Sequence, residues 1–321
     1  MPTAIAASQA GEPEVLAPIP IDRPTPTGSQ LLVKVAAVGV NFIETYQRAG
    51  IYKVEYPFIP GGEASGEVVD VGPQADGFSV GDRVAFAEGA ASYAEFTLID
   101  AAKALPVPDG VDLETAAALP LQGMTAHYLI NSTFPVQEGQ TVLTHAGAGG
   151  TGLLLTQMLK AKGARVITTV STDEKEELAR EAGADVVLRY EGFPEQVRDL
   201  TGGTGVDVVF DGVGKATFDG SLASIRERGM LVLFGAASGP VPAFDLQRLN
   251  SSGSLYVTRP SLGFYLRSAE ERRWRSGDVF GAVVNGSLSV RIGARYPLAE
   301  AAQAHTDLQA RRTTGKILLI P

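Results

Sequence analysis

The chain has 321 residues, a formal net charge of −9 and no cysteine. This length allows two domains with large buried cores. The acidic balance disfavours a nucleic acid as the main partner, because neutralising phosphates requires clustered Lys and Arg side chains. Without cysteine, the chain has no disulfides, no thiolate nucleophile and no Cys-bound zinc.

The amino terminus lacks the basic start and the long apolar run of a secretory signal. No apolar stretch approaches the roughly 20 residues that are needed to cross a bilayer. We therefore expect a cytoplasmic protein without a membrane partner.

The first part of the chain, up to about Pro120, is rich in Val, Gly and Pro. Short apolar runs between turn residues predict strands, here over residues 31–40, 66–72, 82–86 and 93–99. Residues 112–130 then predict a helix, a turn at Pro120 and a second helix. This first region is therefore expected to form a β-rich, barrel-like domain.

From Thr141 onwards, short apolar runs alternate with helical segments, which is typical of buried parallel strands. The runs cover residues 141–146, 164–170, 184–188, 206–210, 229–235 and 254–258. After about Pro260 the pattern becomes mixed again, and residues 315–321 predict a final strand.

Three glycines, Gly147, Gly149 and Gly152, have the spacing G-x-G-x-x-G. They lie between the predicted strand 141–146 and a predicted helix over residues 151–163, and a further strand follows. A dinucleotide site requires this context, because the glycines let the backbone approach a pyrophosphate and the helix offers free N–H groups to it. The alternative is a tight strand-to-helix turn without a ligand.

The end of the next predicted strand indicates which dinucleotide would bind. An NAD site usually has an acidic residue there for the ribose hydroxyls. This chain has Val170 and Ser171 instead, and Lys175 follows four residues later. We expect NADPH, whose 2′-phosphate suits a cation; the alternative is that Lys175 is a solvated helix residue.

Six stretches along essentially the whole chain resemble one known family: VGVNFIETYQRAGIY, PFIPGGEASGEV, LQGMTAHYLI, HAGAGGTG, SLYVTRPSL and TTGKILLIP. They are similar to the zinc-free quinone oxidoreductases of the medium-chain dehydrogenase/reductase superfamily, the group that includes zeta-crystallin. The resemblance implies an α/β fold with a GroES-like β-barrel domain over residues 1–124 and 262–321. It also implies a Rossmann domain, a doubly wound parallel sheet, over residues 125–261, with the active site in the cleft between the domains.

The resemblance also implies that no metal is bound. The zinc alcohol dehydrogenases of the superfamily have a Cys and a His ligand where this chain has Asn41 and Gly62, and the histidines at 127, 145 and 305 do not restore a site by spacing. Without zinc, an alcohol is not readily activated for hydride loss. A quinone, or a related electron-poor carbonyl such as a conjugated enone, is the expected substrate.

The resemblance implies two overlapping sets of site residues. The catalytic set, near the nicotinamide and the substrate, is Asn41, Tyr46, Tyr52 and Thr125. The cofactor-binding set is Asn41, Thr125, Gly147, Ala148, Gly149, Gly150, Thr151, Gly152, Ser171, Lys175, Tyr190, Val213, Phe234, Gly235 and Arg311.

Each role in the catalytic set has a structural alternative. Asn41 is also a candidate turn cap, Thr125 a helix-packing residue, and Tyr46 and Tyr52 packed aromatic side chains with their hydroxyls at the rim. Glu63 is assigned to a structural network and His145 to a packed strand end, and neither is placed in the catalytic set.

The expected activity is NADPH-dependent quinone reduction, by two-electron or single-electron transfer. One alternative is an NADPH-dependent 2-alkenal or enone reductase. A second is a protein that binds NADPH without turnover, as crystallins do. The resemblance further implies a homodimer formed through the edge of the Rossmann sheet, with residues 254–258 as the candidate edge strand.

Overall fold

The structure is a computed structural model that describes all 321 residues. The strands are β1 Thr3–Ala7, β2 Leu16–Pro20, β3 Gln30–Val40, β4 Ala64–Val71, β5 Arg83–Phe86, β6 Phe96–Asp100, β7 Leu105–Pro106, β8 Thr141–His145, β9 Arg165–Thr169, β10 Val186–Leu188, β11 Val206–Asp211, β12 Ile225–Leu233, β13 Tyr256–Thr258, β14 Ile292–Pro297 and β15 Lys316–Ile320.

The helices are α1 Phe42–Arg48, α2 Leu113–Ala118, α3 Pro120–Tyr128, α4 Gly150–Ala161, α5 Asp173–Glu181, α6 Phe193–Leu200, α7 Phe218–Ser224, α8 Gln247–Ser251, α9 Leu262–Tyr265, α10 Ala269–Val284 and α11 Ala301–Gln309. None of these helices is both long and apolar enough to cross a membrane.

The chain divides into two compact units. Unit 1 contains Met1–Met124 and Leu266–Pro321, and unit 2 contains Thr125–Tyr265. Unit 1 is therefore built from both ends of the chain, whereas unit 2 is one continuous segment.

Unit 1 has a seven-stranded sheet in the order β14-β15-β3-β4-β5-β7, and β6 also pairs with β3. The last strand of the chain, β15, runs antiparallel to β3, so that Ile317 lies opposite Val40. The inward side chains form one apolar core, which includes Leu31, Phe86 and Leu319. This β-rich unit confirms the strand pattern that the first part of the sequence predicts.

Unit 2 has a six-stranded sheet in the order β10-β9-β8-β11-β12-β13, and every neighbouring pair is parallel. Counted within the unit, this is the order 3-2-1-4-5-6 of a doubly wound Rossmann sheet. The expected fold class is confirmed, because each of the six apolar runs from Thr141 onwards forms one of these strands.

The region around Pro120 differs slightly from the prediction. Leu119 alone separates α2 from α3, and Pro120 is the first residue of α3 rather than part of a turn. Proline suits this position, because the first helical residue has no intrahelical acceptor for its N–H. α3 then continues into a π-helical turn over Leu129–Thr133.

A buried polar cluster joins α1 to α11 in unit 1. Arg48 Nη1 lies 3.2 Å from His305 Nδ1, and Tyr93 Oη lies 2.9 Å from His305 Nε2. Because a guanidinium can only donate, His305 Nδ1 accepts, and the proton is on Nε2, which donates to Tyr93. Burial, together with the charge of Arg48, lowers the pKa of His305 to about 3.

This cluster predicts a loss of stability in acid. The unfolded chain takes up the His305 proton below about pH 6.5, whereas the folded chain does so only near pH 3. The free energy of unfolding therefore falls as the pH drops through this window, by about 1.4 kcal/mol per pH unit from this residue. We expect His305→Gln, which keeps an acceptor and a donor, to have a flatter dependence of Tm on pH between 6.5 and 4.

Tyr93→Phe is the control for this experiment. It removes the hydroxyl that contacts Nε2 but keeps the buried histidine, so it should lower Tm at every pH without flattening the curve. Parallel pH curves for His305→Gln and the unsubstituted protein would show that His305 is not the residue responsible.

Candidate active site

The sheet of unit 2 changes direction between β8 and β11. These two strands are neighbours, yet the chain proceeds from β8 to β9 on one side and from β11 to β12 on the other. In open parallel sheets, ligands bind at such a switch point, outside the carboxyl ends of the strands. The connections that follow β8 and β11 therefore form the candidate ligand site.

The connection after β8 is the glycine loop. A Cβ at Gly147 would overlap the Thr168 side chain, with Cγ2 at 2.7 Å, and a Cβ at Gly152 would overlap the carbonyl of Ala146. Ala146 itself has a φ of 56°, in the left-handed region. The loop thus needs glycine at two of its three motif positions, because strand β9 and the turn lie against them.

The loop ends at the amino terminus of α4. Gly149 is the N-cap, and the amides of Gly150, Thr151 and Gly152 belong to the first turn, which has no intrahelical acceptors. No acidic residue lies in this first turn. Free N–H groups and the positive end of the helix dipole make this end of α4 suitable for a phosphate group.

The connection after β9 brings Ser171 and Lys175 together. Thr172 caps α5, and its Oγ1 accepts from the Lys175 amide at 3.3 Å. This places Lys175 Nζ 3.4 Å from Ser171 Oγ, with Ser171 exposed. A hydroxyl and an ammonium group therefore stand where an NAD site would present a carboxylate.

Arg189, a further cation near α5, already has two carboxylate partners. Arg189 donates to Asp173 at 2.5 Å and to Glu176 at 2.9 Å, and these hydrogen bonds raise its pKa. The next residue, Tyr190, stacks on His145 with ring centroids 6.2 Å apart. Tyr190 is thus held at the end of β8, beside the glycine loop.

The carboxyl ends of β8, β9 and β11 border a crevice in unit 2, and a buried chain of hydrogen bonds lies beneath it. Thr169 Oγ1 is 2.8 Å from His145 Nδ1, His145 Nε2 is 2.9 Å from Ser221 Oγ, and Ser221 Oγ donates to Asp211 at 2.8 Å. Asp211 also accepts from the amides of Val213 and Gly214. Burial lowers the pKa of His145, although the charge of Asp211 opposes the shift.

These residue types are those of a hydrolase triad, but the contacts are in the wrong order. The Ser221 proton is committed to Asp211, so Ser221 accepts from His145, and His145 cannot act as its base. Ser221 is also fully buried. These hydrogen-bonded side chains therefore hold the ends of β8, β9 and β11 in place, and they do not supply a nucleophile.

The connections after β11 and β12 are fastened to each other. Ser238 N and Oγ both donate to the Val213 carbonyl, each at 2.8 Å, and the Phe234 amide donates to Asp211 O at 2.9 Å. A Cβ at Gly235 would overlap Gly212. Val213, Phe234 and Gly235 are thus held at carboxyl ends of the sheet, on the same edge as the glycine loop.

In unit 1, Asn41 connects β3 to α1 and is 5% exposed. Its Nδ2 donates to Gly39 O at 3.1 Å and to Glu63 Oε2 at 2.9 Å, and its Oδ1 accepts from Lys316 Nζ at 2.7 Å. Because Lys316 can only donate and Glu63 accepts, the orientation of the amide is unambiguous. Both amide hydrogens are committed, and Oδ1 is the acceptor that faces Lys316 Nζ and the Glu44 amide of the capping box.

Asn41 also begins α1 as a cap. Glu44 Oε2 accepts from the Asn41 amide at 2.8 Å, and Glu44 Oε1 accepts from Gly62 N at 3.4 Å. Burial raises the pKa of Glu44 to about 7, and the nearby charge of Lys316 offsets part of that shift. The position of Asn41 is therefore set by α1, Glu63 and Lys316 together.

Tyr46 and Tyr52 form an edge-to-face pair with ring centroids 5.6 Å apart. The Ile51 and Tyr52 amides donate to the Tyr46 carbonyl, so the turn after α1 fixes this pair. Tyr52 is 42% exposed and Ile51 is 61% exposed. Ile51 and Tyr52 therefore form an exposed apolar and aromatic surface on unit 1.

The last two predicted residues lie elsewhere. Thr125 is buried within α3, and Arg311 is exposed just after α11 with a φ of 57°. The structure thus brings the glycine loop, Ser171, Lys175, Tyr190, Val213, Phe234 and Gly235 to one edge of unit 2. Asn41, Tyr46, Tyr52 and Arg311 belong to unit 1.

No group of three or more His, Asp or Glu side chains in the structure could hold a metal ion.

Two family domains match the chain. Residues 27–109 match the alcohol dehydrogenase GroES-like domain, and residues 150–273 match the zinc-binding dehydrogenase domain. A quinone oxidoreductase from Pseudomonas aeruginosa is 44% identical over 317 residues, which cover 97% of each chain. The chain belongs to the quinone oxidoreductase family of the medium-chain dehydrogenase/reductase superfamily.

Solved structures of this quinone oxidoreductase family have the same fold. A mycobacterial protein complexed with NADPH is 52% identical, with a TM-score of 0.98 and full coverage of both chains. An Escherichia coli quinone oxidoreductase complexed with NADPH is 40% identical, with a TM-score of 0.98 and coverage of 99% and 100%. A 2-haloacrylate reductase from Burkholderia is 41% identical over 92% of each chain.

Lys316 and Glu44 were not predicted from the sequence. Lys316 stands at the start of an apolar strand and looks like an ordinary end-of-strand charge, yet it is 1% exposed. The one local signal for Glu44 is its place three residues after Asn41, which is the spacing of a capping box. Neither Lys316–Glu63 nor Lys316–Asn41 has a sequence signal, because these partners are more than 250 residues apart.

The close approach at Gly147 predicts a specific loss of stability. Gly147→Ala should lower the free energy of unfolding by about 1–3 kcal/mol, because the new methyl group overlaps Thr168. In a Thr168→Ala background the cost of Gly147→Ala should be smaller, as thermal melts of the four proteins would show. Gly149→Ala is the matched control, since its Cβ would lie 3.2 Å from its nearest neighbour, and equal losses at both glycines would contradict this account.

Proposed function

We propose that this protein is an NADPH-dependent quinone reductase that works without a metal. The observation that carries the proposal is the pairing of the glycine loop and α4 with Ser171 and Lys175 at one edge of the unit 2 sheet. This donor set fits a pyrophosphate and a 2′-phosphate, and relatives solved with NADPH support the same cofactor. The curated relatives named quinone oxidoreductase support the acceptor.

The residues of unit 2 would bind and orient the cofactor. The first amides of α4 would hold the pyrophosphate, and Lys175 and Ser171 would hold the 2′-phosphate, with Tyr190 and Arg311 proposed beside them. Val213, Phe234 and Gly235 would border the nicotinamide, together with Thr125. When bound, NADPH supplies a hydride from the nicotinamide C4 position.

The residues of unit 1 would handle the acceptor. Tyr46 and Tyr52 carry hydroxyls that can donate to a quinone oxygen as it gains negative charge. Asn41 has both amide hydrogens committed to protein acceptors, so its Oδ1, rather than its Nδ2, would contact the bound molecule. Solvent can supply the protons, because the reduced quinone is already stable as an anion.

The first experiment follows the nicotinamide absorbance of NADPH or NADH with the purified protein, with and without 1,4-benzoquinone. We expect rapid quinone-dependent oxidation of NADPH and little oxidation of NADH. Equal rates with the two cofactors would refute the assignment of Ser171 and Lys175 to the 2′-phosphate, but they would still support quinone reduction. Tight NADPH binding without oxidation by any acceptor would favour the non-catalytic alternative.

A second candidate activity is the reduction of an electron-poor alkene. The 41% identity to a 2-haloacrylate reductase favours it, because the cofactor chemistry is the same and the acceptor differs. A panel of 1,4-benzoquinone, 2-alkenals and 2-chloroacrylate, compared by kcat/KM, would separate the two. We expect the quinone to give the highest value.

The role of Lys175 has a direct test. Lys175→Glu should raise the KM for NADPH by about tenfold or more, because it removes one charge-assisted contact and adds repulsion. The KM for NADH should change little. Lys103→Glu, an equal charge change at an exposed position of unit 1, is the control, and an unchanged KM for NADPH in Lys175→Glu would refute the contact.

We further propose a homodimer through the free edge of the unit 2 sheet. β13 pairs only with β12, and its Tyr256 and Val257 are 59% and 37% exposed. A second copy would cover both the unpaired backbone and these apolar side chains. Light scattering should give twice the chain mass, and Val257→Lys should give the monomer whereas Val284→Lys should not. The cytoplasmic location stays a prediction.

A further inference from the structure

The residues that surround Asn41 form a compact ionic cluster inside unit 1. Lys316 and Glu63 are 1% and 0% exposed, and Lys316 Nζ donates to both Glu63 Oε2 and Asn41 Oδ1. Glu63 Oε1 accepts from the Leu121 amide at 2.7 Å. Asn41, Glu63 and Lys316 are thus hydrogen-bonded to one another away from solvent.

The backbone makes room for this cluster at Gly39. A Cβ there would lie 2.5 Å from Glu63 Oε2 and 2.7 Å from Lys316 Cε. Two charged side chains therefore pack directly against the strand that leads to Asn41. Burying them is expensive, and replacing such a pair by apolar side chains is often neutral or stabilising. Stability alone is thus a weak reason for a lysine and a glutamate at these positions.

We infer that Lys316 and Glu63 are positioning residues that orient the Asn41 amide toward the bound molecule. Lys316 holds Oδ1 from one side and Glu63 holds Nδ2 from the other, so the amide can neither rotate nor flip. Oδ1 is thereby held in one position, as the atom that would accept from a hydroxyl or amide donor of the bound molecule. Lys316 also draws electron density toward Oδ1, which makes the Nδ2 hydrogens stronger donors to Glu63 and Gly39.

This inference rests on the proposed function, because it requires Asn41 to contact the cofactor or the acceptor. It assigns no contact with either of them to Lys316 or Glu63. Loss of the pair should therefore have the same effect as loss of the Asn41 amide, and the two losses should not add.

The test is a mutant cycle between Asn41→Ala and the paired change Lys316→Met with Glu63→Met. Asn41→Ala alone should lower kcat/KM for 1,4-benzoquinone, or raise the Kd of NADPH, by about tenfold, the value of one hydrogen bond to a bound molecule. In the paired Met background the same substitution should have less than about a twofold further effect.

A second ion pair of unit 1, which is partly buried, provides the matched control. Arg272 donates to Glu88 at 2.9 Å and 3.0 Å, in the same unit. In an Arg272→Met, Glu88→Met background, Asn41→Ala should keep its full tenfold effect. A merely structural role for Lys316 and Glu63 would make the two backgrounds behave alike.

Glu63→Gln covers the case in which the paired Met variant does not fold. Glutamine keeps the shape, but it cannot accept from Lys316, Asn41 and Leu121 as the carboxylate does. The effect of Asn41→Ala should again shrink in this background.

Additive effects in both kcat/KM and Kd would overturn the inference, as would an Asn41→Ala variant that matches the unsubstituted protein in both. Failure of the proposed function gives a different result. If no quinone is reduced, the NADPH Kd, measured by nicotinamide fluorescence, still reports the cycle and decides the inference by itself.

Discussion

The position of the unit 2 crevice depends on one topological constraint, the reversal of strand order between β8 and β11. A parallel sheet must return each connection over one of its faces, and neighbouring strands whose connections leave on opposite faces are left with a gap at their carboxyl ends. The glycine loop and the Asp211 loop border that gap. The buried chain from Thr169 to Asp211 then keeps the strand ends in register beneath it.

The two units solve the problem of buried polarity differently. Unit 2 buries one carboxylate, Asp211, and surrounds it with amide and hydroxyl donors, while burial lowers the pKa of the nearby His145. Unit 1 buries cations as well, Arg48 beside His305 and Lys316 beside Glu63. A buried charge is tolerated only when its partners are complete, so these clusters restrict which substitutions unit 1 can accept.

Much of unit 2 could be predicted from the sequence, because its signals are local. The strand–glycine–helix order around Gly147 and the missing acid near Ser171 are both readable within about 30 residues. In unit 1 the strands were readable, but the surroundings of Asn41 were not. They depend on Glu63 and Lys316, whose distances along the chain are 22 and 275 residues. Pairing over such distances is decided by the tertiary fold, and it cannot be predicted from hydrophobic periodicity, which is a local signal.

The pairing of β15 with β3 has a consequence for how the chain is made. Unit 2 is continuous, so it can fold as soon as its own residues have left the ribosome. Unit 1 cannot complete its sheet until Lys316–Ile320 have been synthesised, because these residues form the strand beside β3. Its first 124 residues must therefore wait through the synthesis of nearly two hundred more. During that interval β3 lacks a partner on one side at Val38–Val40, because β6 pairs only with the earlier part of the strand. A chain that ends a few residues early would leave that side of the segment unpaired permanently, with Asn41 lacking its ammonium partner.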